Sequence, residues 1–173
     1  MVERFLFVVG DQDSGKSTQL RSMFLDPRFG TQCQVPTTRN VPDTYYLSVD
    51  RGLYLRLTSP HEFGETLTEF LDKTEAKTKV GRWAVAGPLQ PQGFRNMPDL
   101  AATVSGVVQR FQPERVRLCL LSPDRHGQAQ ARGTLQQLFD QLWSVAGPVE
   151  CLCIDARDRS RNSSVLAGFL DYT

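Results

Sequence analysis

Apolar residues recur along this chain with different periods, and each period predicts an element. Phe5-Leu6-Phe7-Val8-Val9 is an unbroken apolar run, the pattern of a strand buried on both faces, and predicts a central strand. From about Gly15 to Leu25, Leu20, Met23 and Phe24 share one helical stripe, which Asp26-Pro27 ends. Arg28 to Asp43 has no apolar period and carries Gly30, Pro36 and Pro42, so it reads as a long surface loop. Strict alternation follows. Tyr45, Leu47 and Val49 share one face, as do Leu53, Leu55 and Leu57 after the turn Asp50-Arg51-Gly52, which predicts a half-buried hairpin.

The helical period returns from Glu62 to Ala76 through Phe63, Leu67, Phe70 and Leu71, and Trp83-Ala84-Val85-Ala86 reads as a strand. Pro98 stands near the start of a helix carrying Leu100, Val104, Val107, Val108 and Phe111. Val116 to Leu121 is another strand, Leu135, Leu138, Phe139 and Leu142 mark a helix, Val149 to Ile154 a last strand, and Val165 to Leu170 a short final helix. This order predicts a three-layer α/β/α fold: a six-stranded, mostly parallel sheet with one antiparallel edge strand and helices on both faces. One domain over residues 1–173 is expected, with no internal repeat. Ligands of such sheets bind at the carboxyl ends of the strands.

Composition narrows the function. A net charge of +1, with both signs scattered, gives no basic patch, so nucleic acid is not an expected partner. Cys33, Cys119, Cys151 and Cys153 form no CxxC pair, and the chain has two histidines, so packed, reduced thiols are expected rather than a metal centre. The first residues do not read as a signal peptide and no apolar stretch approaches spanning length, which predicts a cytoplasmic protein.

Between the first strand and its helix, Gly10-Asp11-Gln12-Asp13-Ser14-Gly15-Lys16-Ser17 fits G-x-x-x-x-G-K-[ST] at every fixed position. Gly10 and Gly15 permit the close backbone approach that lets successive N–H groups, Asp13 and Ser14 among them, point at phosphate oxygens. Lys16 is expected to bridge the β- and γ-phosphates of a nucleotide, Ser17 to ligate Mg²⁺ and Thr18 to lie near the α-phosphate. Asp11 and Asp13 are carboxylates around an anion, so their side chains are expected to point outward, unless one helps to hold the metal or a water.

With that loop, the chain resembles P-loop NTPases. The hairpin between the first two helices, and the element order over nearly the whole chain, look like the small-GTPase branch. Pro36-Thr37-Thr38-Arg39-Asn40 resembles a switch I segment, in which Thr38, or else Thr37, would complete the magnesium shell and sense the γ-phosphate. Leu57-Thr58-Ser59-Pro60-His61-Glu62 resembles a D-x-P-G-H segment with the aspartate replaced and the glycine missing. By that match His61 would orient the attacking water, although a histidine at a strand end also serves as a hydrogen-bonded bystander. Only Asp124 matches the N-K-x-D base reader, where Pro123-Asp124 is also a turn signal, and only Ala156 matches the later S-A-K motif.

Three functions remain open. One is a nucleotide-dependent switch, GTP or GDP by resemblance, with slow or absent hydrolysis and a protein partner at the 28–43 loop. Another is an ATP-dependent kinase of nucleotides or small molecules, because Gly15-Lys16-Ser17-Thr18-Gln19 also resembles the loop of thymidylate-type kinases and Arg157 to Arg161 could form a lid. The last is a scaffolding domain that has lost its nucleotide.

Overall fold

The computed structural model describes residues 1–29, 31–36, 41–145 and 147–170. Strand β1 (Val2–Val9) lies inside the sheet, paired in parallel with β4 (Arg82–Leu89) on one side and β5 (Arg115–Leu121) on the other. Beyond β4 lie β3 (Arg51–Leu55) and the edge strand β2 (Thr44–Tyr46); beyond β5 lies the other edge, β6 (Val149–Ile154). The order is β2-β3-β4-β1-β5-β6, parallel throughout except for the antiparallel β2–β3 pair.

The apolar run of β1 serves both faces, as the period of two requires. Leu6 and Val8 pack with Leu20, Met23 and Phe24 from α1 (Lys16–Ser22) and its 3₁₀ continuation Met23–Leu25, and with Leu166 and Ala167 of α6 (Arg159–Ala167). Phe5, Phe7 and Val9 face α3 (Leu67–Lys77), α4 (Leu100–Phe111) and α5 (Arg132–Trp143), which contribute Phe70, Val104 and Leu142. The α/β class, the mostly parallel six-stranded sheet and the antiparallel edge strand therefore stand as the sequence predicts.

Four boundaries differ from expectation. The helix expected over 62–76 is two, α2 (Pro60–Phe63) and α3, because Gly64 takes a left-handed conformation and Thr66 starts a new helix with a reciprocal cap to Glu69. Strand β2 stops at Tyr46, so Val49 is fully exposed in the turn instead of sharing the buried face of Tyr45 and Leu47. The strand expected over 83–86 extends to 82–89. Helix α6 begins at Arg159, six residues before its first apolar residue, because Asp158 caps it by accepting from the Arg161 N–H.

The 28–43 segment is partly anchored: Phe29 packs on Phe24 and Tyr45, and Arg21 donates to the Pro36 carbonyl. The thiols are split, with Cys119 buried, Cys151 half-buried, and Cys33 and Cys153 exposed, which corrects the expectation of four packed cysteines. Among the described residues no helix is long and apolar enough to cross a membrane.

Candidate functional site

At the carboxyl end of β1 the chain turns sharply into α1. Ser14 N–H donates to the Asp11 carbonyl, Asp13 has φ 61° and Gly15 has φ 102°. A Cβ on Gly15 would be strained by that φ and would stand 3.1 Å from Arg125 Cβ; a Cβ on Gly10 would lie 2.4 Å from Ser14 Oγ. The backbone of the turn thus requires glycine at position 15, whereas a side chain at position 10 would displace the Ser14 hydroxyl.

Inside the turn lies Lys16. Its side chain is almost wholly buried, and Nζ donates to the Gly10 carbonyl at 2.9 Å and the Asp11 carbonyl at 2.6 Å. Burial pushes the ammonium below the ordinary lysine range, against the opposing pull of Glu62, Asp11 and Asp13. Ser14 is also buried, and its Oγ has no hydrogen-bond partner. Asp11 and Asp13 point outward. The loop therefore holds, at the end of a central strand, a desolvated cation whose partners are two carbonyls of its own turn, and an orphaned hydroxyl.

Ser17 Oγ donates to the Leu57 carbonyl at 2.6 Å, which brings the segment after β3 to the loop even though β4 separates β3 from β1. Thr58 and Ser59 follow Leu57 where the resemblance would put a carboxylate, and no group of three or more His, Cys, Asp or Glu residues that could hold a metal occurs among the described residues. Thr18 is half-buried on the first turn of α1. Thr37 and Thr38 lie outside the described residues.

His61 is completely buried. Its Nε2 lies 3.2 Å from the Pro98 carbonyl, which can only accept, so Nε2 carries the proton and Nδ1 accepts from the Ser59 hydroxyl, also at 3.2 Å. Burial holds its pKa below the ordinary imidazole value. With both nitrogens engaged, the ring does not present a nitrogen to a water in this conformation; it is a strut between the β3–α2 turn and the start of α4.

On the other side of the loop is the turn after β5. One oxygen of Asp124 accepts from the His126 and Gln128 N–H groups, holding the turn together. Ala156 is buried, and its N–H donates to the Pro123 carbonyl, so the two segments matched to base-reading motifs are closed on each other. Arg157 is folded onto Asp155, which it holds at a pKa of about 2, and Arg159 to Arg161 belong to the first turn of α6.

Two features escape a reading of the sequence. Arg125 N–H donates to the Ser14 carbonyl, and its guanidinium lies 3.8 Å from Asp13, which puts a cation against the loop. Gln19, fully buried on α1, donates to the Ala156 carbonyl and accepts from Asn162, fastening α1 to the segment after β6. Both pairings join residues more than a hundred positions apart, and no local pattern announces them. Comparison with family models, curated proteins and solved structures gave no match.

Proposed function

We propose that the chain binds a nucleotide through the 10–17 loop and acts as a switch whose output is partner binding. The observation that carries this reading is the buried Lys16 ammonium, held by two carbonyls of its own loop beside the unpartnered Ser14 hydroxyl. Phosphate oxygens would take over the ammonium from the two carbonyls, and the backbone N–H groups of residues 13 and 15–17 would supply the remaining donors.

In that role Lys16 neutralises charge between the β- and γ-phosphates, Gly10 and Gly15 keep the backbone close, and Thr18 lies toward the α-phosphate. Ser17 suits Mg²⁺, which would supply charge neutralisation, and turning its hydroxyl to the ion means releasing the Leu57 carbonyl. The 28–43 segment, joined to α1 through Arg21 and Pro36, is the surface by which nucleotide state would reach a protein partner. GTP and GDP follow from the resemblance, and ATP and ADP from the same loop chemistry; a guanine contact by Asp124 and Ala156 would require the 122–128 turn to open from Ala156. Slow or absent hydrolysis follows from the engaged ring of His61 and from the lack of a carboxylate at 57–59.

Calorimetric titration of GTP, GDP, ATP and ADP, with and without Mg²⁺, into the wild type and Lys16→Ala tests the proposal. Binding in the wild type and its loss in the variant are expected. No binding by the wild type, or equal binding by both, overturns it, and acceptor-dependent formation of ADP would replace the switch with a kinase.

A further inference from the structure

A cavity of about 340 Å³ opens beside the 10–17 loop, on the face of the sheet away from α1. Its position follows from the topology. The chain leaves β1 toward α1 on one face but leaves β4 and β5 toward α4 and α5 on the other, so a crevice must form where the exits diverge. Gly10 forms one wall, Leu120 and Leu138 an apolar floor, and Gln92, Gln137 and Gln141 bring side-chain amides to its lining.

The wall opposite α5 is preformed. Phe94 and Met97 exchange backbone hydrogen bonds, Leu100 N–H donates to the Pro91 carbonyl, and Arg95 and Asn96 reach back to the carbonyls of Glu62 and Gly64. The lining contains no lysine or arginine, and its one carboxylate, Asp99, caps α4 by accepting from the Ala102 N–H. A charged phosphate would find no cation there. The volume is at the lower end of small-molecule pockets, an apolar floor suits a flat ring, and each glutamine amide offers a donor and an acceptor in one plane, the complement of a heterocycle's edge.

We propose that this cavity is a second ligand site, separate from the 10–17 loop, for an uncharged planar heterocycle of nucleobase or nucleoside size. Gln137 and Gln141, one helical turn apart on α5, read the ring's edge while Leu120 and Leu138 hold its face. The assignment stands without the nucleotide reading of the loop. Gln130, whose amide lies 3.4 Å from Asp11, joins the two sites mechanically.

The test is titration of adenosine, guanosine, cytidine and uridine, each to about 10 mM, into the full chain and three variants. Thr134→Arg fills the mouth from an exposed position on α5, and the double variant Gln137→Ala/Gln141→Ala removes the amides at exposed helical positions, so neither threatens folding. At least one nucleoside should saturate the wild type, weaken roughly tenfold or more in Thr134→Arg and in the double variant, and bind Lys16→Ala as it binds the wild type. The inference is overturned if no nucleoside saturates, if Thr134→Arg binds as well as the wild type, or if Lys16→Ala abolishes binding. Loss of nucleotide binding in Lys16→Ala with retained nucleoside binding separates the two sites.

Discussion

Replacing Lys16 with methionine separates what the residue does for the fold from what it does for an anion. The side chain is 5 % exposed, so in the folded chain its ammonium has lost nearly all its water. That desolvation costs several kcal/mol, and two charge-assisted bonds to the Gly10 and Asp11 carbonyls return about 1.5–3 kcal/mol each. The two nearly cancel. Methionine keeps most of the stem's volume and removes the charge, so the ligand-free variant should be within about 1 kcal/mol of the wild type, or more stable.

Binding should move the other way. A lysine that loses its bonds to two phosphate oxygens forfeits about 3 kcal/mol or more, which is a loss of over a hundredfold in affinity for a di- or triphosphate. Urea unfolding of the free protein and calorimetric titration with Mg²⁺-nucleotide measure the two quantities on one preparation. The reasoning fails if the variant unfolds several kcal/mol more easily while its affinity is unchanged, for then Lys16 is a structural pin of the turn. The pH dependence provides an internal check: burial has already moved the ammonium below its ordinary value of 10.5, so wild-type affinity should fall as alkaline pH rises through that lowered value, and the variant should lack this dependence.

Gly15→Ala should destabilise the chain by about 1–2 kcal/mol, because its φ of 102° is unfavourable for a residue with a Cβ, and should weaken nucleotide binding; chemical unfolding and the same titration report both. His61 is held neutral by burial, below its ordinary 6.5, so below that pH the unfolded chain takes up a proton that the folded chain refuses. Stability should therefore fall as pH decreases below about 6.5, by up to about 1.4 kcal/mol per unit, and His61→Gln should remove that component in paired unfolding curves; identical slopes would contradict it. Gln19→Ala leaves the Ala156 carbonyl without its donor and a void under α1, and should cost about 2–4 kcal/mol in thermal or urea unfolding.

Strands were legible where burial on both faces forces an apolar run, as in Phe5 to Val9 and, but for Arg117, in Val116 to Leu121. Helix α6 was not, because Arg159 to Ser164 carries no apolar period and its start depends on one Asp158 cap. The sheet order lies beyond periodicity altogether: β4, not β3, stands beside β1, and no strand's apolar period distinguishes the two. The same division runs through the candidate site. Gly10 to Ser17 is contiguous and its geometry follows from its residue types, whereas the burial of His61, the turn that occupies Asp124 and the approach of Arg125 to Gly15 arise only once β1 lies between β4 and β5.

That placement also gives Ser17 its particular character. Its hydroxyl proton goes to the Leu57 carbonyl, at the beginning of a segment whose Ser59 holds His61, whose ring in turn holds the Pro98 carbonyl before α4. The first turn of α1 is thus linked, through two side-chain hydrogen bonds to the ring and one to Leu57, with the loop that walls the cavity beside Gly10. In the proposed role Ser17 would choose between a cation and the Leu57 carbonyl, two discrete arrangements that the packed ring of His61 would not follow by small degrees. On the proposed function, nucleotide and cation would bias Ser17 at one end of this chain, while a heterocycle against Gln92 would bias the 91–98 loop at the other. Coupling between the two sites would then need no motion of the sheet, only the exchange of one hydrogen bond at Leu57.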